Sequence, residues 1–427
     1  MVTGTGSVDT VLKEEEIAGI IEEGIPGRRV EGKNLLVLTP DRTRTMPLPL
    51  MRRMIERTVG RRARRLDFMV ALGTHKPLSD REMKELFGLG DDESPDSSFY
   101  NHRWDLPATF TGIGKISRRE VEKITGGLLS EDIEIVLNRS LFDYDIIVVL
   151  GPVFPHEVIG FSGGNKYFFP GVSGGEFLHS FHWLGALVGS MEIIGKKRTP
   201  TRALIDRAAS FIKKEKICVS IVVRDEKRIS GLFVGSMEES WSAAADLSAQ
   251  VHVVYKPRPY SLVLAAANRI YTELWTAGKA MYKLEPVVAD GGELIIYGPH
   301  VDALSHTWGK YIERVGYHVR DYYLAQPERF GGIPGAVIAH STHVKGAGTY
   351  ENGKERPRIG VTLATGFPEK QCGKLGLGYM DPGAIRVERY MNREDEGVLF
   401  VENAGEVLYR LETPGVTSIT TCRRTCS

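Results

Sequence analysis

Cysteine is scarce in this chain. Its 427 residues hold four, Cys218, Cys372, Cys422 and Cys426, too few and too unevenly spaced for a disulfide framework, which argues for a reducing compartment. The close pair Cys422 and Cys426 lacks the two further ligands a structural metal site would need. Long hydrophobic runs are missing as well: none approaches the roughly 20 apolar residues that span a bilayer. The first nine residues show no basic-then-apolar leader, so a soluble, cytoplasmic protein is expected. Nor is there an excess of one charge. Lys and Arg total 55 against 54 Asp and Glu, a net charge of +1, which leaves no overall electrostatic footprint for nucleic acid or an anionic membrane. The one locally basic run, Arg61-Arg-Ala-Arg-Arg65, reads as a solvated helix end. No Gly-x-Gly-x-x-Gly turn follows the first strand, which argues against a dinucleotide-dependent dehydrogenase. No internal repeat and no low-complexity tract is visible, which excludes solenoids and disordered linkers.

What is present is ordinary globular composition, 42% apolar and 26% charged, in a chain long enough for two packed domains. Short runs that are apolar at nearly every position recur with helical stretches between them: Asn34 to Leu38, Leu66 to Leu72, Asp145 to Leu150 and Ile217 to Val223. Such runs predict strands buried on both faces, hence largely parallel sheets covered by helices. A second series follows at Ser261 to Ala267, Glu293 to Tyr297, Ala336 to Ala339, Ile359 to Ala364 and Val398 to Val401. Helical periodicity is expected over Thr201 to Ile212 and from Ser236 to Val251. The fold class is therefore α/β: two α/β domains, residues 1–265 carrying the motifs below and residues 266–427 closing the site from across an interdomain cleft, a common place for small-molecule pockets.

The motifs are concentrated in the first half. His156-Glu-Val-Ile-Gly-Phe-Ser-Gly-Gly-Asn-Lys166 places an imidazole and an amine on either side of a Gly-Gly turn, where missing side chains let a flat ligand approach the backbone. Aromatic residues follow Lys166, and partial desolvation lowers a lysine pKa and frees the amine for covalent chemistry. His182 stands sixteen residues beyond Lys166, within His179-Ser-Phe-His182, and imidazole is a good ligand for nickel. Upstream, Asp41-Arg-Thr-Arg44 and Ala71-Leu-Gly-Thr-His75-Lys-Pro each end an apolar run, the position at which open α/β sheets present ligand contacts.

Taken together, in this order and spacing over residues 35 to 185, these segments resemble the nickel-dependent lactate racemase family of 2-hydroxyacid racemases and epimerases. A weaker match continues through Lys279-Ala-Met-Tyr-Lys-Leu-Glu-Pro. The resemblance implies that Lys166 carries a covalently attached nickel-pincer nucleotide, pyridinium-3,5-bisthiocarboxylic acid mononucleotide nickel, and that His182, rather than His179, binds the metal. It implies that His75 and His156 are the two catalytic histidines. Each enantiomer needs its own base, and imidazole exchanges a proton near neutral pH. One histidine would take the substrate hydroxyl proton while hydride leaves C2 for the cofactor; return of hydride to the other face of the 2-oxoacid inverts the centre. Arg44 matches an arginine that grips the substrate carboxylate through a planar fork of donors, and Lys279 matches a lysine reaching in from the second domain. Asp41 is expected to orient Arg44 or to contact the nucleotide, while Thr43, Thr74, Ser162 and Gly163 offer hydroxyls and N–H groups to its phosphate.

One departure bears on the substrate. A glutamine of the family pattern, three residues before the lysine, is Thr276 here, and the second half adds Tyr297, His300, His306, Trp308, His340 and His343. These residues point to a 2-hydroxyacid larger or more polar than lactate, such as a sugar acid. Besides the substrate, the expected partners are the enzymes that make the cofactor. Two other function classes compete. One is a metallohydrolase with zinc held by His179, His182, His340 and His343, which would activate water and carry no nucleotide; the other is a non-catalytic protein that binds the nucleotide or hydroxyacid.

Overall fold

A computed structural model describes residues 2–90, 93 and 95–412; Cys422 and Cys426 lie outside the described residues. The first sheet has seven strands: β1 (Thr3–Gly6), β2 (Asn34–Thr39), β3 (Arg65–Val70), β4 (Phe99–Asn101), β5 (Ile146–Pro152), β6 (Glu215–Val223) and β7 (Ile229–Gly235). Their order across the sheet is β1-β7-β6-β5-β2-β3-β4. Strands β6, β5, β2, β3 and β4 run parallel, and β7 and β1 complete the edge antiparallel. Alternation explains why the central strands read as unbroken apolar runs. Ile146, Val148 and Leu150 of β5 enter one core cluster with Leu35 and Val37. Ile147 and Val149 enter another with Leu36 and Leu38, so both faces of the sheet need apolar side chains.

A second sheet is parallel throughout. Its strands are β8 (Tyr260–Ala267), β9 (Val288–Gly298), β10 (Gly360–Thr365), β11 (Gly378–Tyr379) and β12 (Val398–Ala404), in the order β11-β10-β9-β8-β12. It too is packed on both faces, with Val263, Leu294 and Ile296 in one cluster and Leu264 and Ile295 in the other.

Five helices matter to the site: α1 (Gly175–Val188), α2 (Pro200–Ala209), α3 (Met237–Val251), α4 (Lys279–Leu284) and α5 (Gly335–Lys345). The helices expected near Thr201 and Ser236 are α2 and α3. The strand expected over Ala336 to Ala339 is instead the start of α5. This helix is buried from Ala336 to Val344, and a helix covered on every side has no polar stripe, so its periodicity is invisible in the sequence. It crosses α1 closely: a Cβ on Gly335 would lie 2.6 Å from the His179 carbonyl oxygen. Only glycine lets those backbones meet there. Among the described residues, no helix is long and apolar enough to cross a membrane.

Candidate active site

The first sheet reverses its winding between β5 and β2, because the chain builds β3 and β4 to one side and β6 and β7 to the other. Ligands of open α/β sheets bind at the carboxyl ends of the strands flanking such a switch point. Here the segments leaving β2, β3 and β5 supply Asp41, Thr43 and Arg44, Leu72 to His75, and Pro152 and His156 to one cavity of about 140 Å³. Lys166 and His182 enter it from the following loop and helix. Trp275, Thr276, Lys279 and Tyr282 line it from the second half of the chain. Every site residue expected from the sequence, including Thr43, Thr74, Ser162 and Gly163, lines this cavity.

Each functional side chain is held by identifiable partners. His75 Nδ1 bonds to Asp41 Oδ2, leaving Nε2 for another group. Asp41 also accepts from the Thr43 N–H at 3.0 Å and the Thr43 hydroxyl at 2.7 Å. Burial alone would raise the Asp41 pKa, but His75 and Thr43 hold it well below the usual carboxylate range. Asp41 therefore orients His75 by direct contact, a role the sequence did not suggest. His182 Nδ1 lies 2.7 Å from the Leu178 carbonyl one helical turn earlier. A carbonyl only accepts, so Nδ1 carries the hydrogen and the Nε2 lone pair is available to a metal. Burial, then the nearby Lys166, pushes the His182 pKa down to about 3, against the Leu178 bond. Its imidazole is neutral at any physiological pH. His156 is buried, with Nδ1 3.2 Å from the Val158 N–H and 3.3 Å from Glu157 Oε2. Burial, Lys166 and Arg44 lower its pKa well below 6.5.

The cavity is rich in cations. Burial and the charge of Arg44 lower the Lys166 pKa to about 7, with Glu157 and Asp41 opposing, so much of its amine is uncharged at neutral pH. Lys279 donates to the Thr43 carbonyl at 3.1 Å and stands 4.5 Å over the Tyr271 ring; burial and Arg44 likewise lower its pKa. Burial works against the charge on Arg44, but Glu157 and Asp41 raise its pKa. It is the cation that keeps its charge throughout. A cavity with one permanent cation and two readily neutralised lysines suits an anionic ligand that supplies its own counter-charge.

Several contributors escaped sequence reasoning. Glu157 is the carboxylate that acts on Arg44, Lys166, Lys283 and Tyr282. Lys283, buried on α4, donates to the Pro155 carbonyl, one residue before His156, and to the Glu406 carbonyl at 3.1 Å. Glu157 was adjacent to a motif histidine; Lys283 carried no local signal, since its partners are distant in the chain. Ser162 spends its hydroxyl inside the loop, donating to the Pro152 carbonyl and accepting from the Phe154 N–H. The Thr276 hydroxyl donates to the Glu273 carbonyl.

A second cavity, of about 780 Å³, shares Asp41, Thr43, Thr74, His75, Trp275 and Thr276 with the first and adds Lys76, Glu82, Glu273, His306, Thr307 and Trp308. Of the polar residues expected to favour a longer substrate, His306 and Trp308 line it. Tyr297, His300, His340 and His343 line neither cavity. His340 instead stacks under Trp275 at 4.3 Å, and His343 packs on Tyr282. Both are buried on the helix that was read as a strand. His179 meets Trp308 edge-on at 5.5 Å and is absent from both linings. Among the described residues, no three His, Cys, Asp or Glu side chains converge as a metal site, so the four histidines of the hydrolase reading do not come together.

The profile of the lactate racemase N-terminal domain matches residues 13–193, the span that contains all the motif residues upstream of α2. The lactate racemase of Thermoanaerobacterium thermosaccharolyticum is 24% identical over 309 residues, which cover 68% of this chain and 67% of that one. The lactate racemase of Lactiplantibacillus plantarum is 23% identical over 277 residues, covering 62% of this chain and 59% of its own length. Residues 13–193 therefore match a lactate racemase N-terminal domain, and the chain is similar to lactate racemases beyond that stretch. This likeness indicates an isomerase. Two solved structures carry the same fold across nearly the whole chain. A Thermotoga maritima protein superposes with a TM-score of 0.87 at 32% identity, covering 94% of this chain and 99% of that one. The lactate racemase apoprotein from T. thermosaccharolyticum superposes with a TM-score of 0.70 at 17% identity, covering 94% of each.

The residues present fit the family's cofactor. A nucleotide that brings its own metal donors needs only one protein ligand and one attachment amine. His182 with its free Nε2 and Lys166, whose amine is shifted toward the uncharged form, could supply one of each in the same cavity.

Proposed function

We propose that this protein inverts C2 of a 2-hydroxyacid, using a nickel-pincer nucleotide attached to Lys166 and ligated through His182. One observation carries this reading: an uncharged amine, a lone-pair imidazole and the two further histidines His75 and His156 all face one cavity at the switch point of a parallel sheet. Arg44 binds the substrate carboxylate, with Lys279 beside it. His75, held by Asp41, takes or returns the hydroxyl proton for one enantiomer through Nε2, and His156 does so for the other. When bound, the cofactor supplies a reversible acceptor for the C2 hydrogen with its electron pair. The enzymes that synthesise the cofactor are required partners, and four cysteines, of which Cys218 and Cys372 are buried and free, support a cytoplasmic setting.

The substrate is larger or more polar than lactate, a sugar acid being the leading candidate. The support is the second cavity, whose Lys76, Glu82, His306 and Thr307 lie where the far end of a longer chain would extend from Thr276. Lys76 and His306 are exposed and Glu82 and Thr307 half-buried there, so they can pair with hydroxyls of a longer chain that a short analogue lacks. Enantiopure lactate, malate, 2-hydroxyglutarate, phenyllactate and gluconate, incubated with nickel-loaded protein and resolved by chiral chromatography, test this. Gluconate or another polar acid is expected to turn over faster than lactate; best turnover on lactate refutes the substrate reading alone.

Replacing His182 with alanine is expected to lower bound nickel by about 10–100-fold, the usual range for loss of a metal ligand's support, while leaving the organic adduct on Lys166. Metal analysis beside intact-mass measurement reads the two separately. Unchanged nickel in His182→Ala moves the ligand elsewhere.

A further inference from the structure

The loop that delivers Lys166 is gripped from behind. Gly163 and Gly164 have φ of 86° and 58°, a region that L side chains rarely adopt, so local propensity alone does not choose this path. Instead its carbonyls are captured one after another by groups on the far side from the cavity. The Thr201 hydroxyl donates to the Val158 carbonyl at 2.6 Å, the Gly195 N–H to Gly160 at 2.9 Å, and Arg202 to Phe161. The Trp241 indole N–H donates to Ser162 at 2.8 Å, and a second Arg202 nitrogen to Gly163 at 3.3 Å. The two large side chains brace each other, the guanidinium lying 4.0 Å from the indole ring centroid. Both are buried, and they come from different helices: Arg202 from α2, whose first turn is capped by Thr199, and Trp241 from α3.

We propose that Arg202 and Trp241 act as a carbonyl clamp, positioning residues that fix Phe161 to Gly163 so that the Lys166 amine enters the cavity at one defined place. The clamp rests on Lys166 being the attachment residue only for its functional consequence; its geometry stands without that reading. A planar guanidinium can hold two carbonyls at once while stacking on an indole, and a lysine ammonium cannot reproduce that fork. Both residues lie beyond residue 193, outside the stretch matched by the N-terminal domain profile. None of the six motif residues from Phe161 to Lys166 upstream of them predicts the clamp.

The test uses the full chain with Arg202→Met, Arg202→Lys and Trp241→Phe, in two arms. In the first, amide hydrogen exchange of the protein without cofactor is followed over residues 157–170, with β6 as the reference segment. Loss of the clamp opens this loop locally, so Arg202→Met is expected to accelerate its exchange by about tenfold or more and leave β6 unchanged. Arg202→Lys should fail to restore protection, and Trp241→Phe, which keeps an aromatic face but loses the N–H, should fall between. In the second arm, the chains are produced with the cofactor-synthesis enzymes and adduct occupancy at Lys166 is read by peptide mapping; it should fall several-fold in the same order. Native exchange with native occupancy in Arg202→Met and Trp241→Phe overturns the clamp, as does equal acceleration in β6, which marks general core packing. Full protection in Arg202→Lys overturns the bidentate argument even where Arg202→Met does not fold. If the unaltered chain takes up no adduct, the proposed function fails while the exchange arm still decides the clamp.

Discussion

Lys166→Ala is expected to abolish the covalent adduct and with it all detectable racemisation, because no second amine occupies the Gly163-Gly164 loop and the other lysine lining the cavity, Lys279, is committed to the Thr43 carbonyl. Intact-mass measurement of protein made with the cofactor-synthesis enzymes reads this directly. Surviving adduct with full activity rules out the tether. The amine's pKa sets a pH dependence as well. Folding lowers it from 10.5 to about 7, chiefly by burial, so the uncharged, nucleophilic form dominates above pH 7 and is lost as pH falls through that value. Attachment of the nucleotide to unaltered protein should therefore slow about tenfold for each unit below pH 7. A rate flat from pH 5 to 8 contradicts the assignment of the amine as the reacting group.

Removing either cavity histidine gives the second large effect. His75→Ala and His156→Ala are each expected to lower steady-state racemisation by roughly 10²–10⁴-fold, the range for loss of a positioned acid or base. The two differ in what survives. Each variant should still oxidise the enantiomer served by the remaining histidine, so trapping of the bound 2-oxoacid is expected from opposite enantiomers in the two proteins. Equal full activity in both, or the same surviving enantiomer, excludes a two-base arrangement. Asp41→Asn should mimic His75→Ala in enantiomer preference, with a loss of about 10²-fold or more, because Asp41 holds the His75 ring through Nδ1.

How much of this was legible in the sequence differs by residue. The candidate-site motifs were, because each follows a strand buried on both faces: Asp41 to Arg44 after β2, His75 after β3, His156 after β5. An apolar run followed by a polar motif marks a strand end in an open sheet, and the strand order then gathers those ends at one point. The family pattern supplied the roles. What could not be read lies in long-range packing. Ala336 to Ala339 looked like a strand because α5 is buried on all sides. His340 and His343, named for a polar substrate, turned out to brace Trp275 and Tyr282. Asp41 was assigned to Arg44 or the nucleotide, while the structure bonds it to His75, 34 positions downstream. Lys283 and the Arg202–Trp241 pair exert their effects across the chain, and nothing in their local sequence announces them; Glu157 had only its place beside His156 to mark it.

The most direct test of C2 inversion at this site is isotopic. A hydroxyacid accepted by the nickel-loaded protein is prepared as one enantiomer with deuterium at C2 and incubated in ordinary water, and the opposite enantiomer is recovered by chiral chromatography and weighed by mass spectrometry. If the C2 hydrogen leaves with its electron pair and returns from within the closed site, the product keeps its deuterium. Product that has exchanged C2 deuterium for solvent hydrogen, or adduct-bearing protein that inverts none of the hydroxyacids, contradicts the account.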